Sequence, residues 1–136
     1  MTLRHRTHRV LYVPMDDRPY NLKAPRLLAQ LVDYEMLVPP VEMLGHQRTP
    51  GRPEEIAQWL LSHLDPGLDC MILSLDMLAY GGLWASRSAN TRTQLALQRL
   101  CVLSDLREAC PDTQILGFGT ILRLGTITAN DEAALH

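Results

Sequence analysis

Cys70-Met71-Ile72-Leu73-Ser74-Leu75 is apolar at almost every successive position rather than at alternate ones. A strand reads this way when both of its faces are covered, as a parallel strand between helices is. The run opens directly into Asp76-Met77-Leu78-Ala79-Tyr80-Gly81-Gly82 and then Arg87. A second apolar run, Val10 to Val13, leads in the same manner into Asp16-Asp17-Arg18-Pro19. Charge just past a buried strand lies at its carboxyl end, where α/β proteins assemble their sites.

Working outward, the chain divides into strand-then-helix units. After Val10–Val13, Pro25 suits a first helical turn, and Leu27, Leu28, Leu31 and Val32 form the stripe of an amphipathic helix. Glu35 to Val38 reads as a short second strand stopped by Pro39-Pro40. The stretch from Glu42 to Arg52, with Gly45, Pro50 and Gly51, reads as a surface loop. Pro53-Glu54-Glu55 starts a second helix, with an early proline and acids facing the helix dipole. Ile56, Trp59, Leu60 and Leu64 supply its buried face. A third helix is expected from Thr91, where Thr91 and Gln94 have capping-box spacing, to about Ala109, dominated by Leu97, Leu100, Val102, Leu103 and Leu106. Gln114 to Phe118 is the fourth strand.

This alternation predicts an α/β fold of parallel β/α units, with strands near 10–14, 35–38, 70–75 and 114–118 joined by three helices. Half of a (β/α)8-type barrel is the leading architecture, and it would order its strands 1-2-3-4. An open doubly wound sheet, the alternative, would order them 2-1-3-4. Residues 1–9 read as a flexible basic tail, 10–124 as a single β/α domain or a truncated part of a larger one, and 125–136 as an irregular end.

The bulk numbers narrow the function. A net charge of -2 gives no reason to expect nucleic acid as a partner. No apolar window reaches the ~18 residues of a membrane span, and the basic start lacks a signal-peptide core, so a cytoplasmic location is the expectation. Cys70, Cys101 and Cys110 are too scattered for a disulfide framework or a zinc site.

Gly81-Gly82 lacks dinucleotide-fingerprint spacing and there is no Walker lysine, so neither NAD nor ATP is expected and no cofactor is implied. Ser74, Ser86 and Thr120 lack a nucleophile-elbow context. Among the histidines only His46, in the second loop, is a site candidate.

Asp16 and Asp17 are adjacent, so in extended backbone they point to opposite sides. One can face a pocket while the other caps a turn or holds Arg18. Asp76 ends the most hydrophobic strand, as a catalytic carboxylate or as a cap. Asn21 can shape its loop or offer an amide to a substrate hydroxyl. Tyr80 can stack on a sugar ring or cover the core. Gly81 and Gly82 can permit positive φ in a tight turn or let backbone approach a ligand. Arg18, Arg87 and Arg123 all follow strands and suit a carboxylate or phosphate on a substrate.

The runs Val13-Pro14-Met15-Asp16-Asp17-Arg18-Pro19-Tyr20-Asn21, Val38-Pro39-Pro40 with Leu44-Gly45, and Ser74-Leu75-Asp76-Met77-Leu78-Ala79-Tyr80-Gly81-Gly82-Leu83 with Ala85-Ser86-Arg87 stand in order along the chain. Together they resemble the bacterial domain of unknown function 4127 family, over about Val10 to Leu124. Members of that family are several times longer, so the resemblance implies a truncated amino-terminal portion. The family has no settled activity, and its motif-bearing loops are similar to those of sugar-processing barrels.

The leading functional expectation is a hydrolase acting on a small polar, carbohydrate-like or anionic substrate. Asp76 and one of Asp16 and Asp17 would be its paired carboxylates, opening into one cleft. A glycosidase holds such a pair ~5–5.5 Å apart for retention or ~6.5–9.5 Å for inversion. The alternatives are a non-catalytic binding or structural fragment, and a magnesium- or calcium-dependent hydrolase with Asp16, Asp17 and Asp76 on the cation. Self-association through an uncovered sheet edge is a further expectation.

Overall fold

The computed structural model describes residues 6–88 and 91–121. Arg123, the irregular end at 125–136 and most of the basic tail lie outside the described residues.

The four strands β1 (His8–Val13), β2 (Tyr34–Leu37), β3 (Cys70–Ser74) and β4 (Gln114–Phe118) form one sheet in the order β2-β1-β3-β4. Every pairing is parallel, with Val10 opposite Met36 on one side and Cys70 on the other, and Cys70 opposite Gln114. The α/β class and all four strand positions therefore agree with the sequence. The order is that of the open doubly wound sheet. A half-barrel would have placed β2 between β1 and β3, so the topology favours the alternative architecture.

The register explains the core. Leu11, Val13, Met71 and Leu73 point to one face of the sheet and are fully buried. They belong to a cluster with Ile56 and Leu60 from α2 (Pro53–Ser62), Met77 and Leu78 from α3 (Leu75–Tyr80), and Val102 and Leu106 from α6 (Val102–Ala109). Truncating one such side chain to alanine costs about 2–5 kcal/mol.

Where the sequence predicts one third helix from Thr91 to Ala109, the described chain has two. α5 (Thr93–Leu100) and α6 meet at Cys101. Thr91 does not cap; the residue before α5 is Arg92, which makes no side-chain capping bond. Leu97 is exposed at 60%, while Ala96, one position earlier, is buried.

Two further short helices, α3 and α4 (Leu83–Arg87), occupy what the sequence reads as loop after β3. Ser74 starts α3: its Oγ accepts from the Met77 N–H at 3.2 Å, satisfying one of the free donors of the first turn.

The first helix differs most from expectation. α1 runs from Pro19 to Gln30, with Pro19 in its first turn and Pro25 in its interior. Its buried residues are Leu22 and Ala29, while Leu27 and Leu28, and Leu31 and Val32 just past its end, are exposed, Leu31 at 80%. An interior proline deprives the carbonyl four residues back of its helical donor. Here that carbonyl is Asn21 O, and the Tyr12 hydroxyl donates to it at 2.6 Å. A strand side chain thus completes the hydrogen bonding that Pro25 interrupts. Burial, and then the charge of Asp16, raise the Tyr12 phenol above its ordinary pKa, which keeps it protonated as a donor.

Candidate functional site

In the order 2-1-3-4 the chain leaves β1 toward one edge of the sheet and β3 toward the other. Ligand crevices of open α/β sheets form at the carboxyl ends of strands at such a switch point. A cleft of about 610 Å³ lies at this end of the sheet. Three segments line it: Asp16, Asp17 and Arg18 after β1; Leu44 to Pro50 after β2, apart from Gly45; and Gly81 to Ala85 with Arg87 after β3.

Asp16 organises its own loop. Its carboxylate accepts from the Arg18 backbone N–H at 3.1 Å, from Arg18 Nε at 2.8 Å and from Asn21 Nδ2 at 2.8 Å. Asn21 serves Asp16, and with Tyr12 it joins β1, the start of α1 and the cleft wall in one hydrogen-bonded chain.

Asp17 is the carboxylate left for chemistry. Its side chain is 15% exposed, and its Oδ2 lies 2.6 Å from His46 Nδ1, whose ring is 72% exposed. An ionised carboxylate only accepts hydrogen bonds, so Nδ1 is the donor, and in the neutral ring Nε2 is the basic nitrogen.

The loop that presents His46 is held rigidly. His46 and Thr49 exchange backbone hydrogen bonds at 3.1 and 2.9 Å. Gly45 stands at φ +74°, and a side chain there would run into Thr49, Pro50 and Gly51 of its own loop. The loop docks on the turn after α3, where Gly51 N donates to Gly81 O at 2.7 Å.

Gly81, at φ +90°, caps α3 and meets the Gly51 and Pro50 backbone and side chain so closely that a Cβ would sit 3.0 Å from Gly51 O. Both glycines stand at positive φ, as the tight-turn reading expects. Both amides are satisfied by α3 carbonyls, Gly81 N by Met77 O and Gly82 N by Asp76 O, and are not presented to a ligand.

Asp76 stands at the end of β3, the strand adjacent to β1, as expected, but it is not among the residues lining the cleft. It is buried, and its Oδ2 accepts from Thr120 N at 2.9 Å and Thr120 Oγ1 at 3.1 Å. That geometry fastens the segment after β4 to the start of α3. Tyr80 and Asn21 are likewise not lining residues, whereas Arg18, Gly81, Gly82 and Arg87 are. Among the described residues, no group of His, Cys, Asp and Glu side chains is arranged to hold a metal ion, so Asp16, Asp17 and Asp76 do not converge as a ligand set. No helix among the described residues is long and apolar enough to cross a membrane.

The sequence reading did not anticipate Arg48 and Trp84. The Arg48 guanidinium lies over the Trp84 ring, 5.1 Å from its centroid. Both side chains line the cleft. Thirty-six positions separate them, and no local pattern marks either as a partner of the other.

Fold and cleft together define a parallel α/β domain with a charged, partly apolar crevice at its strand switch point. The chain belongs to the family described as Protein of unknown function (DUF4127), whose model matches residues 10–134. The three motifs in the sequence therefore mark a true family membership. No curated protein and no solved structure matches this chain significantly.

Proposed function

We propose that the cleft is a hydrolytic site for a small polar substrate, with Asp17 and His46 as its acid–base pair. The observation that carries this is the 2.6 Å contact between Asp17 Oδ2 and His46 Nδ1 within a crevice large enough for a small molecule. Asp17 fixes the ring orientation and the tautomer. His46 Nε2 takes a proton from a water whose oxygen bonds to the substrate's electrophilic centre. The same proton then passes to the leaving group as its bond breaks. A positioned acid–base group of this kind is worth about 10²–10⁴-fold in rate. Asp16, held by three donors, supports the loop and keeps Arg18 at the cleft wall.

The pair replaces the carboxylate couple of Asp76 with Asp16 or Asp17, because the Asp76 oxygen facing Thr120 accepts two hydrogen bonds and the residue does not line the crevice. The test is a panel of para-nitrophenyl phosphate, glucuronide and glucoside. Turnover of at least one, reduced a hundredfold or more in both His46→Asn and Asp17→Asn with unchanged melting temperature, is the expected result. Turnover unaffected by either change, or none on any member of the panel, would overturn it.

A further inference from the structure

The cleft's charges do not cancel, and the excess is positive although the whole chain is at -2. The lining sets three arginines against two aspartates: Arg18 is matched by Asp16 at 2.8 Å, while Asp17 accepts a hydrogen bond from the neutral His46 ring. Arg48 and Arg87 also line the cleft, and among the described residues neither has a carboxylate within ion-pair distance.

The two are placed by different means. Arg48 projects from the loop that the His46–Thr49 pair and Gly51 N–Gly81 O hold rigid, and its guanidinium is stacked on Trp84. Gln47, beside it, is held at φ +50°, a conformation that costs a non-glycine residue energy and fixes the loop tip. Arg87 ends α4, whose first turn is tied to the β1 loop by Leu83 N donating to Met15 O at 3.3 Å.

Stacking on an aromatic face leaves the guanidinium edge, with its N–H donors, free for an oxyanion. The entropy of ordering Arg48 is already met by the stack, so an anion gains more from it than from a mobile surface arginine.

We infer that Arg48 and Arg87 form an anion subsite, and that the cleft selects small substrates bearing a phosphate or carboxylate group beside the bond presented to His46. This rests on the hydrolytic reading only for the second clause; the subsite itself is a binding property.

The experiment separates the two. Isothermal titration of the full chain with glucose 6-phosphate, glucuronate and glucose compares phosphate, carboxylate and neutral ligands built on one sugar ring. At least one of the anionic ligands should bind tenfold or more tightly than glucose, and the stronger of the two names the anion. Arg48→Gln and Arg87→Gln should each remove most of that preference, and Trp84→Leu should reduce it through Arg48, while His46→Asn leaves it in place. Anion preference without turnover on the para-nitrophenyl panel would keep the subsite and discard hydrolysis. Equal affinity for all three ligands, no binding of any, or a preference that survives the double arginine substitution would overturn the subsite.

Discussion

Gly45→Ala should damage the loop that carries His46 out of proportion to the one methyl group added. Gly45 sits at φ +74°, where an L side chain costs about 1 kcal/mol or more. The new Cβ would meet Thr49 O and stand 2.6 Å from both Gly51 N and Pro50 C, all backbone atoms of the same loop. No side chain can swing aside, so the loop must open. Opening sacrifices the paired His46–Thr49 hydrogen bonds, at about 1 kcal/mol each. The sum is about 3 kcal/mol. In urea, with a slope of ~2 kcal/mol/M, that lowers the midpoint by roughly 1.5 M. Gly67→Ala is the control: its φ is not in the left-handed region, and its Cβ would meet only a side-chain oxygen of Asp65 at 3.3 Å. It should move the midpoint by less than about 0.3 M. A Gly45→Ala midpoint as close to the native one as the control's, with the His46 and Thr49 amides still protected from exchange, would refute the claim that this loop is a rigid mount.

Tyr12→Phe should cost about 1–3 kcal/mol, read from urea melts, because it leaves Asn21 O beside Pro25 without a donor. Leu106→Ala, at a fully buried core position, should cost about 2–5 kcal/mol by the same measurement, whereas Leu31→Ala, exposed just past the end of α1, should fall within about 0.5 kcal/mol. At the opposite end of the sheet, the Gly67 N–H and then Arg9 hold the Asp65 carboxyl below its ordinary 3.8, and the Arg9 N–H does the same chiefly for Asp69. A lowered folded value means that their stabilisation is complete above the unfolded pKa and is lost as pH falls through the folded one. Stability should therefore fall below about pH 4, and Asp69→Asn should make that acid slope shallower.

What was legible in the chain, and what was not, follows from the range of each interaction. Consecutive apolar residues from Met71 to Leu73 mark a strand covered on both faces, and charge after it marks the strand end, so the fold class and the end of the sheet that carries the candidate cleft can be read locally. Pro25 misleads about where α1 starts, because Pro19 already fills the first-turn position. The hydrogen bond that the interior Pro25 cannot make is replaced by Tyr12, nine positions before the Asn21 carbonyl it reaches. Gly81-Gly82 masks α3 in the sequence, although Ser74 is a capping residue followed by Asp76 in the first turn. Asp76 itself reads the same in sequence whether it faces a cleft or fastens Thr120.

The partners of Asp17 and Trp84 were beyond sequence reasoning for a different reason. His46 and Arg48 reach them from a glycine- and proline-rich loop whose conformation is set by Gly45, Gly51 and Gly81 meeting across the fold.

The most direct test is the tautomer of His46, read by long-range nitrogen–proton correlation NMR on the neutral ring. With Asp17 Oδ2 at 2.6 Å from Nδ1, the proton should reside on Nδ1 and leave Nε2 bare. Asp17→Asn should weaken that preference and shift the ring toward the Nε2–H form. An Nε2–H tautomer in the native protein, unchanged by Asp17→Asn, would show that no acid–base pair exists in the cleft.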